Sequence, residues 1–406
     1  MKKTIKLALV AALALGATSA FATNGSNLIG MGVKARGMGG AGIGMSHGAE
    51  STLANAALIT SVKDTEVSFG GTIFMPKVSN TQNLGAGAES ADSAADMNVI
   101  PSVSIASKVN DNFYFGIGMW GTAGMGVDYR DSITNTAGGA GTQFKMVTNL
   151  QLMQFAVPLA YTTNGFSVAI TPLLQYGALD INYQYSTTPG QVGAGVSQDL
   201  QFGYNLGLSY KTSGFTVGAT YKSQIDMKYK GQLSNAMQNF GLTGYTNDKL
   251  STPAEIGLGV SYKMKEHTIA LDYKNIKWSA AKGYEDFKWK DQNVYVIGYE
   301  YATDKWAARL GYNYAKSPIE EQSGFAGSTT APSSGLINTF NLLGFPGIIE
   351  SHMTIGGTYN VNSRTSVDLA YVYSPEVSNT YKNFASQDIT TKHSQSALSF
   401  ALNYAF

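Results

Sequence analysis

Residues 394–406 read Ser-Gln-Ser-Ala-Leu-Ser-Phe-Ala-Leu-Asn-Tyr-Ala-Phe. Leu398, Phe400, Leu402, Tyr404 and Phe406 fall on one face at period two, and Ala397, Ser399, Ala401, Asn403 and Ala405 fall on the other. The segment is a strand with one greasy face and one face of small and polar groups. A core strand of a soluble sandwich alternates in the same way, but it rarely ends on an exposed Phe. A strand whose outer face meets lipid, with its last aromatic group at the membrane boundary, has a reason to.

The other end of the chain agrees. Lys2, Lys3 and Lys6 precede an apolar run from Leu7 to Gly16, and Ala20-Phe21-Ala22 offers a small-x-small cleavage site. Residues 1–22 therefore read as a secretory signal peptide, too short to span a membrane. The chain has no cysteine, so neither a disulfide nor a lipobox anchor is expected. No later run of eighteen apolar residues occurs, which excludes a helical membrane protein. Charged residues make up 14% of the chain, against about 25% in a soluble domain. The apolar fraction of 44% does not fill the gap; 46 Gly, 24 Tyr and many Ser, Thr and Asn do. That balance suits a barrel with lipid outside and small or polar groups inside. A net charge of +1 gives no electrostatic case for nucleic acid.

Alternating segments recur at 65–76, 98–109, 112–121, 143–160, 165–185, 198–211, 214–229, 253–264, 267–278, 291–302, 305–316, 351–361, 364–374 and 394–406. They predict fourteen strands, and an even number closes an antiparallel barrel with both ends on one side. The connections alternate. Tight polar turns such as Asn110-Asp111, Thr212-Ser213 and Asn362-Ser363 are separated by long links at 77–97, 122–142, 186–197, 230–252, 279–290, 317–350 and 375–393. Short periplasmic turns and long outer loops are the pattern of a transmembrane barrel. Asp272, Glu300, Arg309 and Asp368 fall on the small-residue face and must look into the lumen, because a charge at mid-membrane on the lipid face costs roughly 2–4 kcal/mol. The fold predicted is all-β: a 14-stranded antiparallel transmembrane β-barrel over 65–406, with residues 23–64 folded back into the lumen as an N-terminal hatch.

Within that segment Gly37-Met38-Gly39-Gly40-Ala41-Gly42 matches G-x-G-x-x-G, but no strand precedes it in a βαβ unit, so a dinucleotide site is not indicated. Several stretches instead resemble the FadL/TodX family of outer-membrane transporters for hydrophobic compounds. Asn24-Gly25 and the Gly37–Gly42 cluster resemble the family's N-terminal hatch. Asn55-Ala56-Ala57-Leu58-Ile59-Thr60 is similar to its Asn-Pro-Ala motif, with Ala56 where the family usually has Pro. Tyr221-Lys222-Ser223, Lys230-Gly231 and the Leu233–Leu242 stretch look like strand seven entering the fourth outer loop, and Asn403-Tyr404-Ala405-Phe406 matches the family's terminus.

The resemblance implies passive uptake of long-chain fatty acids or hydrocarbons across the bacterial outer membrane, with ligand captured by the outer loops, held in the lumen and released sideways at strand three. Asn24, Gly25, Leu233, Met237, Phe240 and Lys290 are the ligand-contact candidates. Lys290 resembles a position where fatty-acid-binding members present a base to the carboxylate, whereas the segment 165–185 carries no Lys or Arg. Glycine in a strand permits a bulge, and Trp120, Gly121 and Gly124 mark the expected lateral gate. Gly37, Gly39, Gly40, Asn55 and Ala56 belong to the hatch. The expected partners are a hydrophobic small molecule, outer-membrane lipid and lipopolysaccharide, and the barrel-assembly machinery through the C-terminal strand. A monomer is expected, with no cofactor, no metal and no nucleic acid. His47, His267, His352 and His393 are dispersed and give no Ser-His or Asp-His pair in sequence, so no catalytic residue is expected. A polar-solute porin and a surface structural or adhesion barrel stand as alternatives.

Overall fold

The structure, a computed structural model, describes residues 23–132, 141–184, 191–193 and 195–406. The expected signal segment 1–22 lies outside the described residues, as do parts of the links at 122–142 and 186–197.

Period-two alternation builds a wall of fourteen antiparallel strands. They are β1 (Thr65–Asn83), β2 (Asn98–Lys108), β3 (Phe113–Asp128), β4 (Val147–Ala156 continued by Leu159–Thr163), β5 (Phe166–Gln184), β6 (Ser197–Thr212), β7 (Phe215–Lys222), β8 (Glu255–Met264), β9 (His267–Ile276), β10 (Gln292–Ala302), β11 (Trp306–Ala315), β12 (Ser351–Asn360), β13 (Thr365–Lys382) and β14 (Asp388–Ala405). β14 returns to β1, from Ala405 opposite Glu66 to Ile389 opposite Gln82, and so closes the sheet on itself. Leu398, Phe400, Leu402 and Tyr404 are exposed on the outer face, while Ala397, Ser399, Ala401 and Asn403 are buried inside. The charges expected inside are there: Asp272 accepts backbone N–H groups, and Arg309 pairs with Glu300 and Asp368. Arg309 Nε lies 2.7 Å from Glu300 Oε2, and its Nη1 donates to Thr358 Oγ1 at 2.7 Å and sits 3.9 Å from Asp368 Oδ1.

Several strand limits differ from the sequence reading, each for a local reason. β4 starts after Phe144 and Lys145, which adopt positive φ. It breaks at Val157-Pro158, because proline has no N–H to give to the ladder. β7 stops at Lys222, and the chain beyond it keeps only isolated bridges, Ile225 to Thr252 and Lys228 to Lys249. The link at 375–393 is mostly strand. β13 and β14 continue as a hairpin in which Thr380 Oγ1 meets Thr390 Oγ1 at 2.8 Å, and only a short connection separates Lys382 from Asp388. Its outward face is polar and its inward face mixes Val377, Tyr381 and Ile389 with Asn379, Thr391 and His393, so no greasy stripe marked it as strand. β1 likewise runs on to Asn83, and Ala88–Asp92 pairs back on it.

Residues 23–64 run inside the barrel. They form two-residue strands at Thr23–Asn24 and Asn27–Leu28, short helices at Val33–Gly37 and Ser51–Ala54, and 3-10 turns at Gly48–Glu50 and Ala56–Ser61. Such a short piece cannot build a core of its own; it borrows the wall.

Candidate functional site

The glycine cluster supplies backbone for docking. Asp272 on β9 accepts the N–H groups of Gly42 at 2.7 Å, Ile43 at 2.8 Å and Gly44 at 3.4 Å. Gly39, at φ +70°, donates to Thr354 Oγ1 at 2.8 Å, and its carbonyl accepts from Asn313 Nδ2 at 3.0 Å. A Cβ on Gly311 would stand 2.1 Å from the Gly39 nitrogen, so two backbones touch where side chains would keep them apart. A Cβ on Gly40 would stand equally close to the carbonyl of Ile29, and one on Gly37 would stand 3.1 Å from the Cα of Gly356.

Charged and amide groups complete the attachment. Glu50 accepts Val33 N–H and Lys34 N–H, each at 3.0 Å, and so caps the first helix. Arg36 donates through Nε to Gly30 O at 3.1 Å and through Nη1 to Thr72 Oγ1. Asn55 takes Ala57 N–H on Oδ1 and gives its amide to Ile43 O at 2.8 Å and Leu208 O at 2.9 Å. Ala56 is the first residue of the 3-10 turn that Asn55 caps. Proline suits that position because its φ is preset and its missing N–H is not needed there. Alanine keeps the same turn without the ring.

At the outer end of this segment the chain meets an aromatic trio. Trp278, Tyr284 and Trp289 pack edge to face with centroids 4.7–5.1 Å apart. Gly25, at φ +66°, lies against them; a Cβ there would reach within 2.7 Å of the Trp278 ring. Ser26 Oγ is 3.2 Å from Tyr284 OH, and burial raises the Tyr284 pKa. Trp289 Nε1 donates to Asn341 Oδ1 at 3.0 Å, and Trp278 Nε1 to Gln292 Oε1 at 3.3 Å. Asn24 is buried beside them with both side-chain polar atoms unpartnered. The trio escaped the sequence reading; two of four tryptophans within twelve residues of a nominally polar link were the available signal.

Lys290 lies at the end of the link that carries the trio. It follows Trp289 on the exposed side, and Trp289 takes the lumen side.

The outer loops pack on each other. Leu233 and Met237, on the helix Leu233–Gln238, are buried, and Tyr183 OH donates to Ala236 O at 2.6 Å. Phe240 is half-buried among Phe144, Tyr183 and Phe384. The apolar residues of 334–349 are buried too, with Phe340 stacked on Phe287 at 4.3 Å. Tyr245 OH donates to Asp286 Oδ2 at 2.8 Å, and its pKa is raised by burial and by that carboxylate.

The wall departs from regularity at β3. Its pairing with β2 ends at Ser102 opposite Trp120. Above that point β3 still pairs with β4, but with a bulge: Gly121 faces Met153 and Ala123 faces Leu152, leaving Thr122 as the extra residue. From Met119 to Val127 every residue is buried, so the in-out alternation is lost. The N-terminal segment takes the place of β2 here. Asn27 pairs with Ala123, and Gly124 N–H donates to Ser26 O at 3.1 Å. Trp120 lies across Gly118, where any side chain would collide with its ring.

Cavities among the described residues lie beside the N-terminal segment inside the barrel. A polar vestibule of about 620 Å³ opens at the short-turn end, lined by Lys34, His47, Glu66, Glu300 and Arg309 among others. Between the N-terminal segment and the wall lies a pocket of about 40 Å³, walled by Leu28, Met31, Leu53, Ile225, Lys222 and Glu255, with Thr122 of the bulge at its edge. Lys222 Nζ and Glu255 Oε1 are 2.8 Å apart. Apolar protein cavities that hold benzene measure about 150 Å³, so a ligand of that size enters only if the N-terminal segment or the wall yields.

Histidine placement differs in one case. His393 lies on β14, not in a loop, and faces inward with Nδ1 3.0 Å from Pro346 O. His352 is buried next to Gln395 at 2.9 Å. His47 contacts Ala41 O at 2.7 Å, and His267 contacts Tyr299 OH at 2.7 Å.

Comparison with known proteins bears on this architecture. A family model described as outer membrane protein transport protein (OMPP1/FadL/TodX) matches residues 7–326. A 47 kDa outer membrane protein of Pasteurella multocida (strain Pm70) is 24% identical, over 90% of this chain and 92% of that one. The fold is similar to that of the toluene transporter TodX of P. putida, with TM-score 0.67 and 17% identity over 93% of this chain and 99% of that one. It is also similar to a Pseudomonas aeruginosa FadL homologue, with TM-score 0.69 and 14% identity over 94% of this chain and 99% of that one. A closed fourteen-strand wall and a match over most of the length lead to one assignment: this outer-membrane chain belongs to the outer membrane protein transport family, OMPP1/FadL/TodX.

Proposed function

We propose that this barrel carries uncharged hydrophobic molecules inward and releases them sideways into the membrane at the bulge of β3. The observation that carries the reading is the loss of β2–β3 pairing beyond Trp120, at the place where the small lumen pocket reaches Thr122. In a closed barrel every backbone group within the bilayer needs a partner. Here the partner is a movable N-terminal strand, so its withdrawal frees a passage without unfolding the wall.

On this reading Leu233, Met237 and Phe240 form the capture surface with the 334–349 loop. Asn24 and Gly25 occupy the seat beside Trp278, Tyr284 and Trp289 that a flat apolar ligand would take. Residues 23–64, with Gly37, Gly39, Gly40, Asn55 and Ala56 at their contacts, act as the hatch. Trp120, Gly121 and Gly124 form the gate. The barrel acts as a monomer in contact with lipid and lipopolysaccharide, and the β14 terminus is what the assembly machinery engages. The solved toluene transporter supports an aromatic hydrocarbon as ligand. Fatty acid uptake is the second reading, supported by the likeness to a FadL homologue and weakened by the outward position of Lys290. The filled lumen speaks against a polar-solute porin.

The test is uptake in a strain lacking this protein, complemented with the gene or with empty vector, using a labelled aromatic hydrocarbon and a labelled long-chain acid. Faster hydrocarbon uptake with the gene is the expected result. Equal uptake with and without it, for both solutes, overturns the reading, as does a large steady conductance in planar bilayers.

A further inference from the structure

We propose that Glu255 sets the ligand class of this lumen by occupying Lys222, so that the pocket beside the β3 bulge takes uncharged molecules and refuses carboxylates. The inference rests on the transport reading above and adds the residue that decides between its two ligands.

Lys222 ends β7 and stands opposite Glu255, which begins β8. Nζ and Oε1 are 2.8 Å apart, and the Glu255 side chain is buried. Both line the pocket that reaches Thr122, whose other walls mix the apolar Leu28, Met31, Leu53 and Ile225 with uncharged polar groups such as Gln154 and Asn205. The next inward cation on this side, Lys274 on β9, donates to Ile29 O at 3.0 Å and lies within electrostatic range of Glu255 and Asp272. Asp272 in turn holds the three backbone N–H groups of Gly42, Ile43 and Gly44. Lys222, Glu255, Lys274 and Asp272 therefore form a row of alternating sign across three neighbouring strands, with a net charge of zero.

A carboxylate entering this pocket loses water and meets no unpaired cation, which is unfavourable. A hydrocarbon loses little and gains contact with Leu28, Met31 and Ile225. Removing the Glu255 charge while keeping its shape leaves the row at +1, with the Lys222 ammonium free to receive a ligand carboxylate.

The experiment compares uptake of a labelled long-chain fatty acid with that of a labelled monoaromatic hydrocarbon, in the deletion strain expressing wild type, E255Q or the double variant K222Q/E255Q. Electrophoretic heat-modifiability checks that each barrel has assembled. E255Q is expected to raise the acid-to-hydrocarbon ratio about tenfold or more, the worth of one charge-assisted hydrogen bond. The double variant should return the ratio to the wild-type value. E255A should shift the ratio in the same direction as E255Q, so failure of one single variant to assemble leaves the other. A ratio within about twofold of wild type in an assembled single variant overturns the proposal, as does a gain that survives in the double variant. A wild-type protein that moves neither solute contradicts the transport reading instead.

Discussion

The two halves of the lumen are filled by different physics. Toward the short turns, the N-terminal segment is held by directional bonds: Asp272 on three amides, Asn55 on two carbonyls, Gly39 against Thr354 and Asn313, Glu50 on a helix start. Toward the outer loops, Trp120, Leu150, Tyr183, Met237, Trp289 and Phe340 belong to one large apolar cluster, with side-chain hydrogen bonds such as Tyr183 OH to Ala236 O and Trp289 Nε1 to Asn341 Oδ1 among its members. Hydrogen bonds fix a position and are costly to leave unmade. Dispersion contacts tolerate rearrangement more readily, methionine above all. On the transport reading proposed above, the inner half holds its place and the outer half re-packs around a guest. An apolar plug throughout would have no fixed seat, and a polar plug throughout would offer no guest a site.

Breaking the inner half should have the largest effect. Asp272→Ala strands three buried amides, at about 1–3 kcal/mol each. The N-terminal segment should then detach, seen as raised single-channel conductance and greater entry of bulky antibiotics. In the outer half, Trp289→Ala removes the ring above Gly25, a loss on the order of 3–5 kcal/mol. There the expected result is local: faster proteolysis or exchange at residues 24–28, with conductance unchanged because the inner anchors remain. If Trp289→Ala opened the channel as Asp272→Ala does, the division of the lumen would fail.

Smaller effects sharpen the contrast. Phe240→Ala takes a half-buried ring from the loop cluster and should cost about 1–2 kcal/mol, read as several-fold weaker hydrocarbon binding by the purified barrel. Lys290→Ala should change uptake of either solute by no more than about 0.5 kcal/mol equivalent, as for a surface residue. A selective loss of acid uptake in that variant would mark Lys290 as a carboxylate contact.

The inner half was partly legible in the chain, and the outer half hardly at all. Period two placed Asp272 and Arg309 on the lumen side of their strands, because a face of Leu271 and Leu310 beside them had to meet lipid. What Asp272 holds was not legible, since Gly42 lies 230 residues away. The glycine density of 37–42 pointed to close packing but not to its partners Gly311 and Gly356. The bulge at β3 was foreshadowed by Gly121 and Gly124, yet the identity of the extra residue, Thr122, depends on register with β4. Register likewise hid the Lys222–Glu255 pair, which only the β7–β8 ladder brings together. Tyr284 and Trp289 lie in a link without periodicity, where sequence carries no face, and Trp278, read as the last residue of the strand 267–278, falls beyond the end of β9. The β13–β14 hairpin was lost for another reason: its outward face is polar and its inward face mixes Val377, Tyr381 and Ile389 with polar groups, so the alternation has little contrast.

The most direct test of lateral release is to delete Thr122. That restores one-to-one register between β3 and β4 from Gly121 through Asp128 and straightens the strand. Uptake of a labelled aromatic hydrocarbon should be measured in the deletion strain, with assembly of the variant barrel checked by heat-modifiability. The account predicts uptake at the empty-vector level from an assembled barrel; wild-type uptake by the same assembled barrel would contradict it.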